Sequence, residues 1–177
     1  MGSVLVIGGG AAGLAAAIAA AECGDTVTVA EKMDRVGKKI LATGNGRCNL
    51  MNTGAPRYPG NAAFAADVLS HCGAEAQKAF WEHLGLRLRQ EEAGRVYPVS
   101  SQASSVLDAL RLQLTALHVR VVTGVSITAL HRENDGWTAL SADGQRFRAN
   151  RVIISVGGCA QPKLCLLYTS PSPRDRG

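Results

Sequence analysis

The sequence has no Cys-x-x-Cys pair and no cysteine–histidine cluster at metal-ligand spacing. Its cysteines, Cys23, Cys48, Cys72, Cys159 and Cys165, are scattered, which argues against a zinc ribbon or a dithiol relay. No metal site is expected, and an odd cysteine count at irregular spacing suits a reducing, cytoplasmic compartment. Outside the alanine-rich N-terminus there is no apolar run of about 18 residues, the length a membrane span needs. The N-terminal stretch has no basic leader, is interrupted by Gly8, Gly9 and Gly10, and reaches Glu22 and Asp25, so it is not read as a signal peptide. No membrane partner is expected. The histidines, His71, His83, His118 and His131, are isolated from any carboxylate or nucleophile at a telling spacing. The catalytic residues are therefore left unassigned. A net charge of +5 is too scattered to argue for nucleic acid, and no internal repeat occurs.

What is present is the material of a packed domain: 177 residues, 46% apolar and 19% charged. Ser3–Gly8, "SVLVIG", is a short apolar run ending in glycine, the pattern of a buried parallel strand. "AAGLAAAIAAAEC" reads as a helix with Gly24 just past its end, and Thr26–Glu31 is the next strand of a βαβ unit. Helices are expected around Asn61–Leu69 and Ala74–Leu84, with short strands at Leu86–Arg89 and Arg95–Tyr97 about a turn at Ala93–Gly94. "SSQASSVLDALRLQLTAL" predicts a helix with Val106, Leu107, Leu110, Leu114 and Leu117 on one stripe, followed by a strand at "VRVV". Ser126–Arg132, Trp137–Ser141 and Arg146–Ala149 alternate as a three-stranded antiparallel meander, and "RVIISVGG" is one more buried strand.

Gly8, Gly10 and Gly13 form a Gly-x-Gly-x-x-Gly pattern that follows a strand, opens a helix and precedes Glu31 by 18 positions. That context makes it a dinucleotide fingerprint. Gly8 allows the tight turn, and Gly10 lets the backbone approach a pyrophosphate. Gly13, with the alanines around it, lets the helix lie close to the sheet. The phosphates would meet unpaired N–H groups at the positive helix end. Glu31 can accept from ribose hydroxyls and would repel a 2′-phosphate. FAD and NAD share this fingerprint. The order of elements, a meander returning to a parallel strand that ends in Gly157 and Gly158, resembles the two-dinucleotide-fold flavoproteins, in which that glycine turn lies near the flavin nucleotide.

Between Arg35 and Arg47 stand four cations, Arg35, Lys38, Lys39 and Arg47, and no acid. Gly37, Gly44 and Gly46 permit close backbone approach, and Asn45 and Asn49 supply amides. Such a loop can cover an anionic, heteroaromatic cofactor, although a solvated basic loop has the same composition.

"GKKILATGNGRCNLMN" resembles the hallmark of the bacterial BaiN/RdsA-type (YhiN-like) NAD(P)/FAD-dependent oxidoreductases. "GRVYPVSSQASSVLDAL" and "IISVGGCAQPK" are similar to two further segments of that family. The resemblance implies an α/β, Rossmann-like FAD-binding domain. It implies non-covalent FAD held by Gly8, Gly10, Ala11, Ala12, Gly13, Glu31 and Lys32, with Lys38 among the nearby cations. Asn45, Gly46, Arg47, Cys48 and Asn49 would line the flavin side, and the backbone near Val125 would meet the adenine. It further implies two-electron transfer between the flavin and NAD(P)H or a small organic substrate. Met51 departs from the Thr or Ser the family prefers, and "SV" before the last glycine turn departs from its commoner "AT".

Cys48 lacks the second cysteine that a disulfide reductase needs and is expected to be a small packed residue. Tyr97, beside Pro98, is expected to be packing, while Arg87, Arg89, Glu91 and Glu92 are expected to be solvated. The alternatives carried are a flavin-dependent RNA-modifying enzyme and an NAD-binding regulatory domain without catalysis.

Residues 165–177 change composition abruptly. Cys165 to Asp175 resembles an in-frame translation of a sequencing-library transposase adapter, all eleven codons fitting. Residues 1–164 are therefore expected to be the N-terminal, incomplete part of the FAD domain. Residues 165–177 are expected to be a non-native tail, and the fragment alone is expected to be inactive.

Overall fold

The computed structural model describes residues 1–54, 58 and 60–158; Cys159, Cys165 and the tail lie outside the described residues. The chain divides into two compact units, one formed by Met1–Lys39 with the chain from Leu110 onward, the other by Ile40–Ala109.

In the first unit, β1 (Ser3–Ile7), β2 (Thr26–Ala30), β6 (Arg120–Val122) and β10 (Arg151–Ile154) form a parallel sheet in the order β10-β1-β2-β6. Val4 through Ile7 are all buried, as expected for a strand covered on both faces. α1 (Ala11–Glu22) runs between β1 and β2, burying Gly13, Leu14, Ala17 and Ile18. Its small residues allow close approach to the sheet. The helix stops where Gly24, at φ +87°, donates its N–H to the Ala21 carbonyl. β7 (Ile127–Glu133), β8 (Gly136–Ser141) and β9 (Arg146–Ala149) form the antiparallel meander. Leu5, Ile7, Ala30 and Val125 share a core with Ala139 and Ala149 of the meander, and Leu130 and Phe147 pack against that core. The three residues of the meander's central row, Leu130, Ala139 and Phe147, are opposite one another in register, so one face of the hairpins supplies this core.

In the second unit, β3 (Met51–Asn52), β4 (Leu88–Gln90) and β5 (Arg95–Pro98) form a small antiparallel sheet in the order β3-β5-β4. α3 (Ala62–His71) starts after Asn61, whose side-chain oxygen accepts the Phe64 N–H at 2.9 Å. Neither α3 nor α4 (Ala74–His83) has a buried residue. α5 (Ala103–Ala116) begins in this unit and ends in the first.

The α/β fold and the order of elements agree with the sequence reading. Several details differ. The strand expected to be buried at "RVIISVGG" is β10, an edge strand of the parallel sheet with no buried residue and Ile154 60% exposed, and the two-residue β3 is not among the expected strands. Lys38–Leu41 forms a short α2 where a continuous loop is expected, because glycine-rich composition conceals a single helical turn, while Thr43–Gly46 is a turn whose Gly44 and Asn45 have left-handed, non-helical backbone. The first strand of the turn about Ala93–Gly94 covers Leu88–Gln90 rather than Leu86–Arg89, since its register is set by pairing with β5. The apolar stripe of α5 is buried only through Leu114; Leu117 lies past the helix end and is half-buried.

Candidate functional site

The tip of β1 and the start of α1 are shaped by close backbone approaches. Gly8 has φ +107°, and a Cβ there would stand 2.5 Å from the Ser155 carbonyl oxygen at the end of β10. A Cβ on Gly13 would stand 1.9 Å from the Gly8 carbonyl oxygen, so the first turn of α1 rests directly on the β1 turn. Ser155 ties the two strand ends together: its N–H donates to the Ile7 carbonyl at 2.9 Å. Its hydroxyl is shared between the carbonyls of Ile7 at 3.0 Å and Gly8 at 2.9 Å. Gly10 differs from its neighbours, because no atom lies within 4 Å of where its Cβ would be. It precedes α1 in extended conformation, and no side chain caps the helix. The helix N-terminus thus has no side-chain cap, and the space beside Gly10 is open, an arrangement that can receive an anion.

One cleft brings together Gly8, Gly9, Gly10, Glu31, Met33, Arg35, Gly37, Lys38, Lys39, Ser155, Val156 and Gly157. Glu31 is buried. One of its carboxylate oxygens accepts the Gly9 N–H at 2.5 Å and the other the Met33 N–H at 2.7 Å. The carboxylate thus braces the glycine turn as well as lining the cleft. Lys38 pairs with Asp34, four residues earlier, at 2.6 Å, and its hydrogen bond holds the Asp34 carboxyl below the usual carboxylate range. The cleft wall carries the carboxylate of Glu31 and the cations Arg35, Lys39 and Lys38, the last of them paired with Asp34. A negatively charged ligand is favoured there.

Of the residues singled out in the sequence, Gly8, Gly10, Glu31, Arg35, Gly37, Lys38, Lys39 and Gly157 meet in this cleft. Ala11 and Ala12 are exposed on the first turn of α1, and Lys32 is exposed outside the cleft wall. Gly13 is buried under the β1 turn. Val125 is a core residue whose N–H donates to the Glu31 carbonyl at 2.9 Å. Gly158, the second glycine after β10, has open space where a Cβ would be. Gly9, Met33, Ser155 and Val156 complete the wall without having been singled out. For Gly9 the signal was its place inside a run of three glycines; for Ser155 it was the departure from the commoner "AT".

The second unit holds Asn45, Gly46, Arg47, Cys48 and Asn49 on a turn of unusual backbone. Gly44, Asn45, Gly46 and Cys48 all lie in the left-handed region, at φ +56°, +53°, +79° and +57°. Gly44 is obligatory there, because a Cβ would stand 2.8 Å from the Asn49 nitrogen. Asn45 tolerates the conformation, whereas Cys48 holds it at some cost in strain. The Cys48 N–H donates to the Thr43 carbonyl at 3.1 Å, closing the turn. The Asn49 amide nitrogen faces the carbonyls of Met51, at 3.0 Å, and Val96, at 3.3 Å, fastening the turn to the sheet. Asn45 and Gly46 are exposed.

Cys48 is buried, and burial pushes its thiol up, opposed by a hydrogen bond with Thr43. It is held as a neutral thiol, in keeping with a packed residue. Arg47 forms an ion pair with Glu91, and its guanidinium carbon lies 4.1 Å from the centroid of the buried Tyr97 ring. The expectation that Glu91 is solvated is corrected: it is half-buried and pairs with Arg47 and with the exposed Arg89.

The chain matches the HI0933-like protein Rossmann domain family over residues 2–166. It belongs to that family. It is 45% identical over 169 residues to a 3-dehydro-bile acid delta(4,6)-reductase of Clostridium scindens, covering 93% of this chain and 41% of that protein. A ribosomal RNA dihydrouridine synthase of Haemophilus influenzae is 25% identical over 172 residues, covering 90% of this chain and 41% of that protein. The chain thus spans about two fifths of the curated relatives' length. Among solved structures, the 3-ketosteroid-delta4-(5alpha)-dehydrogenase of Rhodococcus jostii RHA1 superposes with a TM-score of 0.64 at 18% identity, covering 88% of this chain and 46% of that one. That likeness concerns the fold.

Proposed function

We propose that this chain is the FAD-binding part of a flavin-dependent oxidoreductase that moves two electrons between NAD(P)H, a small organic substrate and non-covalently bound FAD. The observation that carries the reading is the uncapped N-terminus of α1. It opens at Gly10 onto a cleft holding one carboxylate, Glu31, and the cations Arg35, Lys38 and Lys39. These residues fit the cofactor. The turn at Gly8–Gly10 and the first-turn N–H groups suit a pyrophosphate, and the carboxylate of Glu31 suits ribose hydroxyls. A 2′-phosphate would be repelled at Glu31, so NADP is not assigned to this cleft. The turn carrying Asn45, Gly46, Arg47, Cys48 and Asn49 is assigned to the flavin end. When bound, the flavin supplies the electron transfer, and the protein binds, orients and tunes it.

The 45% identity to a bile acid reductase favours an enone-type steroid or bile acid as substrate over a nucleic acid. We assign residues 1–164 to the N-terminal part of the FAD domain and place the protein in the cytoplasm, in keeping with free thiols at Cys23, Cys48 and Cys72. Among the described residues no helix is long and apolar enough to cross a membrane.

Anaerobic mixing of the full-length protein with NADH or NADPH, then with a 3-oxo-Δ4 steroid, tests the reaction. The yellow colour is expected to bleach with the nicotinamide and return stoichiometrically with the enone. Bleaching that only a uridine-containing RNA reverses would overturn the substrate assignment in favour of RNA modification.

A further inference from the structure

Ser155 lines the cleft, yet the functional reading so far gives it no task. The peptide unit that joins Gly8 to Gly9 is gripped by a side chain at each end. Its carbonyl oxygen accepts the Ser155 hydroxyl at 2.9 Å, and its N–H donates to the buried carboxylate of Glu31 at 2.5 Å. The two grips come from different strands, Ser155 following β10 and Glu31 following β2. Both anchors are themselves fixed by backbone bonds. Ile154 lies opposite Ile7 in the parallel register, and the Ser155 N–H donates to the Ile7 carbonyl at 2.9 Å. The Glu31 N–H donates to the Val122 carbonyl at 2.8 Å. The Ser155 hydroxyl oxygen also borders α1, because a Cβ on Gly13 would stand 2.5 Å from it.

We infer that Ser155 is a positioning residue for the anion-binding turn: with Glu31 it clamps the Gly8–Gly9 peptide, and so preorganises the turn and Gly10 to receive the pyrophosphate of a dinucleotide. The inference rests on the reading of this cleft as a dinucleotide site, and it concerns the pyrophosphate rather than the flavin. A peptide between two glycines reorients more freely than any other, since neither neighbour has a Cβ to oppose the rotation. Gly10, whose open side faces the uncapped start of α1, follows that peptide directly. Loosening the peptide therefore misplaces the backbone that meets the anion. A turn that is already ordered loses less freedom when the ligand binds, so the clamp acts on affinity. Alanine at this position keeps the backbone bond to Ile7 and removes the hydroxyl donor from the Gly8 carbonyl.

The experiment uses the full-length protein and its Ser155→Ala and Ser155→Cys variants, each freed of cofactor and titrated with FAD and, separately, with ADP, which carries the pyrophosphate without the flavin. The melting temperature of the ligand-free form and hydrogen exchange of the peptide spanning Gly8–Gly10 are recorded alongside. Ser155→Ala is expected to weaken FAD and ADP by the same factor, about fivefold, the worth of one hydrogen bond. Exchange in the Gly8–Gly10 peptide is expected to accelerate. Ser155→Cys, whose thiol is a weak donor, is expected to follow Ser155→Ala. If Ser155→Ala lowers only the melting temperature and keeps the parent affinities, Ser155 is a structural tie and the inference fails while the dinucleotide reading stands. A loss confined to FAD overturns it too, because the defect then lies away from the pyrophosphate. If Ser155→Ala does not fold, parent affinities in Ser155→Cys overturn the inference equally. A parent protein that binds neither FAD nor ADP removes the dinucleotide reading itself.

Discussion

Two glycines of one motif have different jobs, and substitution separates them. Gly13→Ala forces a methyl to within 1.9 Å of the Gly8 carbonyl oxygen, a backbone atom that cannot swing away. The first turn of α1 must lift off the sheet, and a loss of about 3 kcal/mol is expected in urea unfolding, at the upper end of overpacking costs. Gly10→Ala meets no atom within 4 Å and has an ordinary negative φ of −81°. Its unfolding midpoint is expected to stay near the parent's while FAD affinity, read by fluorescence titration, falls at least tenfold. Equal stability losses in both variants would contradict the division. Among the three described cysteines, Cys48 is buried with its thiol pushed up, whereas Cys23 and Cys72 are exposed. A thiol-specific chromogenic reagent is expected to modify Cys23 and Cys72 rapidly and Cys48 only as the fold opens. Fast labelling of Cys48, identified by mass spectrometry of its peptide, would count against the closed turn.

At the scale of elements, the strand–turn–helix at the N-terminus was legible because its cues are local: an unbroken apolar run, three glycines, then alanines at helical spacing. The meander was legible from alternation and from turn residues. What escaped was either concealed by composition or non-local. The helical turn at Lys38–Leu41 sits in a glycine-rich stretch that reads as loop. The partner of Arg47 lies 44 residues away and is set by the pairing of β4 with β5, which no local pattern encodes. The Lys38–Asp34 pair has simple helical spacing and could have been found, but Asp34 lies one residue before the acid-free stretch that drew attention. The ion pairs of Glu91 with Arg47 and Arg89 make the second unit sensitive to acid. The Arg47 hydrogen bond, then that of Arg89, hold the Glu91 carboxyl below its ordinary range. A carboxyl with a lowered folded-state pKa contributes stability that is complete above its unfolded pKa of ~4.3 and is lost as pH falls through the lower folded value. Urea midpoints measured from pH 7 down to about 3 are therefore expected to drop less steeply in Glu91→Gln than in the parent. Parallel pH profiles would show that the pair contributes nothing to folding.

For the whole molecule, the sequence told more about the binding framework than about the reaction. Gly8 and Gly10 of the first turn, Glu31 after β2, Lys38 and Gly157 after β10 come from four points of the chain and converge on one cleft. Their convergence could be anticipated because a βαβ unit places the ends of parallel strands side by side. No acid, base or nucleophile was assigned from sequence. Among the described residues no group of three His, Cys, Asp or Glu side chains gathers as metal ligands would. A cofactor that carries the electrons itself accommodates such a site. The account therefore stands on the cofactor. The most direct measurement is the visible spectrum of the purified full-length protein, followed by mild acid release and mass analysis of the chromophore. The account predicts a flavin band near ~450 nm and release of one intact FAD per chain. A colourless protein that instead binds NAD stoichiometrically would contradict it and leave a dinucleotide-binding domain without flavin chemistry.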